Sequence, residues 1–204
     1  PTPLAYYNLS ECIVKNWDNI KQHFQNKTSR EKFKSSQIHI QKRSNGVHLF
    51  EMSANYKDVD EDTIEMIQKL PIGCLYKVET DISSCFPSVY SHALPWALVG
   101  KEVAKSNRND SIWYNQLDKC SRQTKYNETC GLLIGPHASN LLSEIVLTSV
   151  DYELSDYNYM RYIDDITYYA KSEDEAELFI RKLSIELKKY ELLLVPSDSF
   201  GCKG

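Results

Sequence analysis

Met160-Arg161-Tyr162-Ile163-Asp164-Asp165-Ile166-Thr167-Tyr168-Tyr169-Ala170 sets two adjacent carboxylates at the tip of an apolar, β-branched and aromatic stretch. Met160, Tyr162, Ile166, Tyr168 and Ala170 alternate with more polar neighbours on either side of the Ile163-Asp164-Asp165 break. That pattern reads as a strand, a tight turn and a second strand, with Met160 and Tyr162 on the apolar side. Asp has poor strand propensity, and two like charges side by side repel. Such a tip persists at low cost where solvent or a divalent cation neutralises it. Two readings therefore stand on this stretch alone: a metal site, or a solvated turn of the kind Asp commonly makes.

The stretch Cys74-Leu75-Tyr76-Lys77-Val78-Glu79-Thr80-Asp81 carries a second alternation. Cys74, Tyr76, Val78 and Thr80 suit a core face; Leu75, Lys77, Glu79 and Asp81 form the other, and the strand ends at Asp81. If it lies beside the Asp164–Asp165 hairpin, three carboxylates meet on one side of a sheet. Oxygen donors with open positions suit Mg²⁺ or Mn²⁺, which bind through few carboxylates plus substrate phosphates. Two such ions roughly 3.5–4 Å apart serve in-line phosphoryl transfer.

These residues resemble a known family. Tyr162-Ile163-Asp164-Asp165 is similar to the Tyr-x-Asp-Asp signature of reverse transcriptases, and Asp81 through Phe86 to their first palm motif, Asp-x-x-x-x-Phe/Tyr. Gly131-Leu132-Leu133-Ile134-Gly135-Pro136-His137-Ala138-Ser139 resembles the Gly-x-Pro-Ile-Gly-Pro-x-x-Ser segment of bacterial members. The three occur in family order. The wording around them, Ser88 to Ala97 and Ser143-Glu144-Ile145, is most similar to bacterial enzymes of the retron and abortive-infection, phage-defence type. The resemblance covers most of residues 70–195.

The resemblance implies an RNA-directed DNA polymerase using two Mg²⁺ or Mn²⁺ ions, an RNA template, a DNA primer and dNTPs. It makes Asp81 and Asp164 the metal ligands, with Asp165 assisting and the Ile82 backbone carbonyl as a further ligand. Ser84 and Cys85 would offer backbone N–H groups to the triphosphate, and Phe86 would stand under the incoming sugar as a gate against a 2′-hydroxyl. A Phe at a strand end is also ordinary core. Ile134, Gly135 and Pro136 would shape the same pocket, although Gly135 equally suits a turn before Pro136. Tyr162 would pack beneath the primer terminus or sit in the core. Arg161 would touch nucleic acid or pair with a neighbouring carboxylate. His92 and His137 lack metal-ligand spacing and read as ordinary hydrogen-bonded histidines, and Glu144 receives no role.

Composition bounds the answer. The 204 residues make one domain or an enzyme fragment. No apolar run approaches the roughly 18–20 residues of a membrane span, and Pro1-Thr2-Pro3-Leu4 opens no signal peptide. Cys12, Cys74, Cys85, Cys120, Cys130 and Cys202 form no C-x-x-C pair, which disfavours zinc or a disulfide framework and suits a reducing cytoplasm. Net charge is −4, awkward for a protein that meets phosphate backbones. It is uneven: residues 1–50 carry eight Lys/Arg against three Asp/Glu. Lys27, Arg30, Lys32, Lys34, Lys42 and Arg43 make either a basic nucleic-acid face or a solvated surface.

Periodicity predicts helices over 7–25, 60–70, 89–105 (kinked at Pro95), 112–122 and from Pro136 onward. It adds a hairpin of 37–43 with 47–52 around Ser44-Asn45-Gly46. Ser172 with Glu175 caps a helix bearing Ala176, Phe179, Ile180, Leu183 and Leu187, and a last strand covers Glu191 to Val195. The expected fold is α+β, a polymerase palm with helices on one face of a small antiparallel sheet carrying the hairpin. Residues 1–70 would be partial fingers and 71–204 the palm. The family's basic fingers strands would fall before Pro1, and its thumb and primer grip after Gly204. The tail from Pro196 departs from the family's Asn-x-x-Lys-Thr, leaving Lys203 a poor phosphate contact. Other readings are a catalytically weak nucleic-acid-binding or assembly module, a template-independent protein-primed DNA polymerase, and a nucleotide cyclase, which Phe86 and the Gly131–Ser139 segment disfavour. Oligomeric state is open.

Overall fold

The computed structural model describes residues 2–30, 33–42, 50–53, 61–195 and 200–202. The Ser44-Asn45-Gly46 turn, Lys32, Arg43, Pro196 and Lys203 lie outside them. Two antiparallel sheets are present among the described residues. The smaller pairs β1 (His39–Lys42) with β2 (Phe50–Ser53). The larger has the order β4 (Tyr159–Tyr162), β5 (Asp165–Ala170), β3 (Tyr76–Asp81), β6 (Phe200–Cys202).

Strand period decides which side chains go inward. Ile166, Tyr168 and Ala170 of β5 and Val78 of β3 are buried on one face. On β4 the alternation is as the sequence implies but the face is inverted: Tyr159 and Arg161 are buried, while Tyr162 is 48% exposed. The two-residue turn is the reason. It pairs Tyr162 with Asp165 and Arg161 with Ile166, and paired residues share a face.

Helices cover the buried face. α8 (His137–Glu153) is buried continuously from Leu141 to Asp151, as expected of a helix enclosed on all sides. It packs on α2 (Trp17–Thr28), α5 (Ala93–Val99) and α9 (Glu173–Lys188). Ser172 caps α9 through the Glu175 N–H at 3.2 Å, and Glu175 reaches back to the Lys171 N–H at 2.7 Å. Phe179 of α9 stacks on Tyr168 with centroids 4.2 Å apart. α3 (Glu61–Lys69) precedes β3.

Three expected boundaries are corrected. The helix over 7–25 is two, α1 (Pro3–Lys15) and α2, divided at Asn16. There the Asn16 side chain donates to the Cys12 carbonyl at 2.9 Å and competes with helix continuation. The helix over 89–105 is two, α5 and α6 (Lys101–Ser106), preceded by the short α4 (Cys85–Ser88); it begins only at Ala93 and breaks at Gly100, not at Pro95. Pro95 falls in the first turn of α5, where its missing N–H has no intrahelical partner to lose. The last strand is not Glu191–Val195. That segment makes one bridge, Leu194 to Ile82, because β3 ends at Asp81; β6 takes the position beside β3. α7 (Trp113–Gln123) matches its expected span.

Candidate active site

The open face of the larger sheet gathers the acidic residues. β3 and β5 run in register so that Asp81 lies directly opposite Asp165, and β4 sets Tyr162 opposite Asp165 in the same row. Asp164 occupies the turn, its carbonyl accepting the Ile82 N–H at 3.2 Å. Like charges directly opposite across a strand pair are destabilising. Asp81 Oδ1 is buried and has no hydrogen-bond partner. Burial, then the charges of Asp164 and Asp165, raise the Asp81 carboxyl above its usual 3.8. Burial likewise raises Asp164, against its own backbone N–H, with Asp165 adding repulsion. An unpartnered buried oxygen in a cluster of like charge fits a hard divalent cation. As the side chains stand, no three His, Cys, Asp or Glu among the described residues close around one point tightly enough to hold an ion.

The turn is held from below. Ile163 has φ of 57°, a left-handed conformation that costs a β-branched residue of order 1–3 kcal/mol. Arg161 Nη1 donates to its carbonyl at 2.9 Å. Arg161 is 1% exposed. Its Nη1 and Nη2 meet Glu144 at 2.7 and 3.0 Å, and Nη2 and Nε meet Asp151 at 2.6 and 3.1 Å. All five guanidinium N–H groups thus have acceptors. Burial alone would lower the Arg161 pKa, but Asp151 and Glu144 outweigh it and hold it above the ordinary range. Tyr159 donates to Asp151, and Ser36 to Glu144 at 2.9 Å. Arg161 is therefore withdrawn from nucleic acid; of the two roles implied for it, the carboxylate pair is the observed one. Glu144 and Asp151 were not anticipated. Their signal is two carboxylates seven residues apart on one face of a helix that also carries Leu141, Leu142, Ile145, Val146, Leu147 and Val150.

The other expected residues lie on the segment after β3, on the loop before α8 and on the helices behind the sheet. Ser84 has φ of 46° and leads into α4, where Cys85 is 2% exposed. Burial, then Asp164, push the Cys85 thiol up to about 12, so it stays protonated. Phe86 is half-buried against the core, and its carbonyl accepts the Leu132 N–H at 2.7 Å. That bond, with Gly131 N–H to Val89 at 2.8 Å, ties the 131–136 loop to α4. Gly131 has φ of 89°, and a Cβ there would come within 2.9 Å of the Pro87 carbonyl. Gly135 has φ of 108° with open space around it, and Ile134 beside it is 76% exposed. Pro136 precedes α8. His92 binds Asp118 at 2.7 Å. His23, unremarked in the sequence, is buried against the Ile145 carbonyl and lowered by burial to about 4. Of the basic residues, Lys27 and Arg30 lie over the Tyr152 ring at 4.4 and 5.0 Å, and Lys34 donates to the Ile38 carbonyl.

A row of acidic strand ends beside a tight, buttressed turn on an α+β sheet is the arrangement of a palm fold. The chain belongs to the reverse transcriptase (RNA-dependent DNA polymerase) family, which matches residues 10–197. It is 26% identical over 149 residues to the retron Ec83 reverse transcriptase of Escherichia coli, an alignment covering 70% of this chain and 47% of that relative. The chain spans about half the length of the curated relative it matches.

The Asp81 and Asp164 carboxyls hold protons more tightly folded than unfolded, since both pKa values rise from 3.8. Between 3.8 and the raised values the folded chain carries more protons, so metal-free stability falls as pH rises through that window. Asp81→Asn is expected to raise the metal-free melting temperature at neutral pH by about 2–4 °C. Mg²⁺ should then stabilise the wild type more than the variant; equal responses would count against the site. Arg161→Ala strands two buried carboxylates and should cost about 3–5 kcal/mol in urea unfolding. Arg161→Lys, with three donors for five acceptor positions, should recover only part of the loss.

Proposed function

We propose that this chain is the catalytic part of a bacterial RNA-directed DNA polymerase that adds deoxynucleotides to a primer 3′-hydroxyl and releases pyrophosphate. The observation that carries this reading is the register of Asp81 against Asp165, beside Asp164, with Asp81 Oδ1 buried and unpartnered. Bound Mg²⁺ or Mn²⁺ would neutralise these carboxylates, lower the pKa of the attacking hydroxyl and offset charge on the leaving pyrophosphate. Asp81 and Asp164 are the ligands in this account, with Asp165 and the Ile82 carbonyl beside them.

The chain's own residues supply position. Phe86, held by its backbone bond to Leu132, would act as the gate against a 2′-hydroxyl. Ser84 and Cys85 bring the first N–H groups of α4, which have no intrahelical acceptor, toward the triphosphate. Ile134, Gly135 and Pro136 wall the nucleotide's other side. Tyr162, exposed in the same row, lies where a primer terminus would rest. Residues 71–204 act as palm and 1–70 as part of the fingers. The retron relative and the family support an RNA template and a place in a retroelement or in anti-phage defence.

The test is Mg²⁺- or Mn²⁺-dependent dNTP incorporation by the full-length gene product on RNA template, DNA template and no template. Incorporation on RNA, reduced roughly a hundred- to a thousandfold or more by Asp164→Ala (order of magnitude for losing one electrostatic stabiliser of the transition state), is the expected result. Incorporation without template would assign the protein-primed mode. Folded full-length protein with no incorporation anywhere would favour the nucleic-acid-binding module.

A further inference from the structure

Outside the carboxylate row, a cavity of about 350 Å³ opens between α5, α6, α7 and the loop joining the last two. Tyr90, Trp96, Lys105, Arg108, Asp118 and Arg122 line it. Tyr90 and Trp96 present half-buried rings with centroids 5.5 Å apart and planes inclined by 59°. Tyr90 follows Phe86 on the same segment and is fixed by a bridge to Cys130.

The acids here are already occupied. Asp118, 4% exposed, binds His92 Nδ1 at 2.7 Å and Arg122 Nε at 3.2 Å. Asp110 binds Lys119 at 2.9 Å. Lys105 and Arg108 are exposed and make no ion pair with a carboxylate among the described residues. Arg122 uses only Nε on Asp118, which leaves its terminal nitrogens for another acceptor.

The loop that carries Arg108 is fixed beforehand. Asn115 Nδ2 donates to the Asn107 and Asn109 carbonyls at 2.7 and 2.9 Å. Asn109 Oδ1 accepts from the Ser111 N–H and hydroxyl, both at 2.9 Å. Arg108 Nε donates to the Lys105 carbonyl at 3.2 Å. Such preorganisation lowers the ordering cost of binding. In a chain of net charge −4, the unpaired Lys105 and Arg108 beside the free end of Arg122 suit an anionic ligand. Lys101 Nζ already covers one face of the Trp96 ring at 4.0 Å and His92 meets the Tyr90 ring edge-to-face at 5.0 Å, so a ligand would use the ring surface that these leave toward the cavity. Cations beside aromatic faces suit the phosphate and base of a nucleotide, and the volume is in the small-ligand range.

We propose that this cavity binds a nucleoside phosphate unit, with its base against Tyr90 and Trp96 and its phosphate on Lys105, Arg108 and Arg122. The site is separate from the carboxylate row and needs no metal. The same chemistry is offered by a single-stranded RNA and by a free nucleotide.

The test uses the full-length gene product in EDTA, so that it is independent of the polymerase reading. A fluorescein-labelled uridine dodecamer and a fluorescent uridine monophosphate are titrated by anisotropy across a salt series. Lys105→Ala with Arg108→Ala, both at exposed positions, should leave the melting temperature unchanged. It should weaken binding at least tenfold at low salt and reduce the salt slope for the dodecamer by about 0.7, the value for the one single-strand phosphate the cavity holds. Trp96→Leu should weaken binding with the slope unchanged. Binding of the dodecamer alone assigns the cavity to a strand, and binding of both probes assigns it to free nucleotides. Wild-type affinity and slope in the folded double variant would overturn the proposal. Asp164→Ala should leave this binding intact whether or not it abolishes incorporation.

Discussion

The buried Arg161 guanidinium is the interaction on which the catalytic end of the sheet depends. It spends every donor it has: on Glu144 and Asp151 of α8, and on the Ile163 carbonyl in the turn. Its backbone also receives the N-terminal segment, accepting the Gln37 N–H at 2.9 Å and donating to the Ser35 carbonyl at 2.8 Å. One residue therefore joins the hairpin, the central helix and the segment before β1. A buried ion pair of this kind adds little net stability compared with a packed apolar core, and its removal by halves is costly. What it provides is position: a strained turn with its carbonyl fixed, and therefore two aspartates held at a defined height above the sheet.

The two faces of the hairpin treat acid in opposite ways. Beneath the sheet, Glu144 and Asp151 are neutralised by Arg161 and by hydroxyls from Ser36 and Tyr159. Above it, Asp81, Asp164 and Asp165 form no ion pair with Lys, Arg or His among the described residues, and one Asp81 oxygen is orphaned. The protein thus completes its internal charge balance and leaves the open face incomplete. A divalent cation and a polyanionic substrate are what that face lacks.

The hairpin and the strand ending at Asp81 were legible in the sequence because period two and the Asp-Asp tip are local signals. The motifs at Asp81–Phe86 and Gly131–Ser139 supplied the pairing partner and the neighbouring loop. The buried role of Arg161 was not legible. Which face of β4 goes inward depends on turn length, and Met160 and Tyr162 look more apolar than Arg161. Only the pairing of Tyr162 with Asp165 decides it. Glu144 and Asp151 escaped for the same reason: a buried charge looks like a surface charge until its partner on another element is known. The break at Gly100 is a local signal, a glycine at φ of 89° that closes α5, whereas the single bridge at Leu194 follows from tertiary fit, which local propensity does not encode.

The most direct measurement is anomalous diffraction from crystals of the full-length protein soaked with Mn²⁺ and a dNTP. The account predicts manganese peaks within coordination distance of Asp81 and Asp164, with the triphosphate adjacent and Arg161 still bound to the Ile163 carbonyl. Manganese bound only elsewhere, or a dNTP seated away from this row, would contradict it.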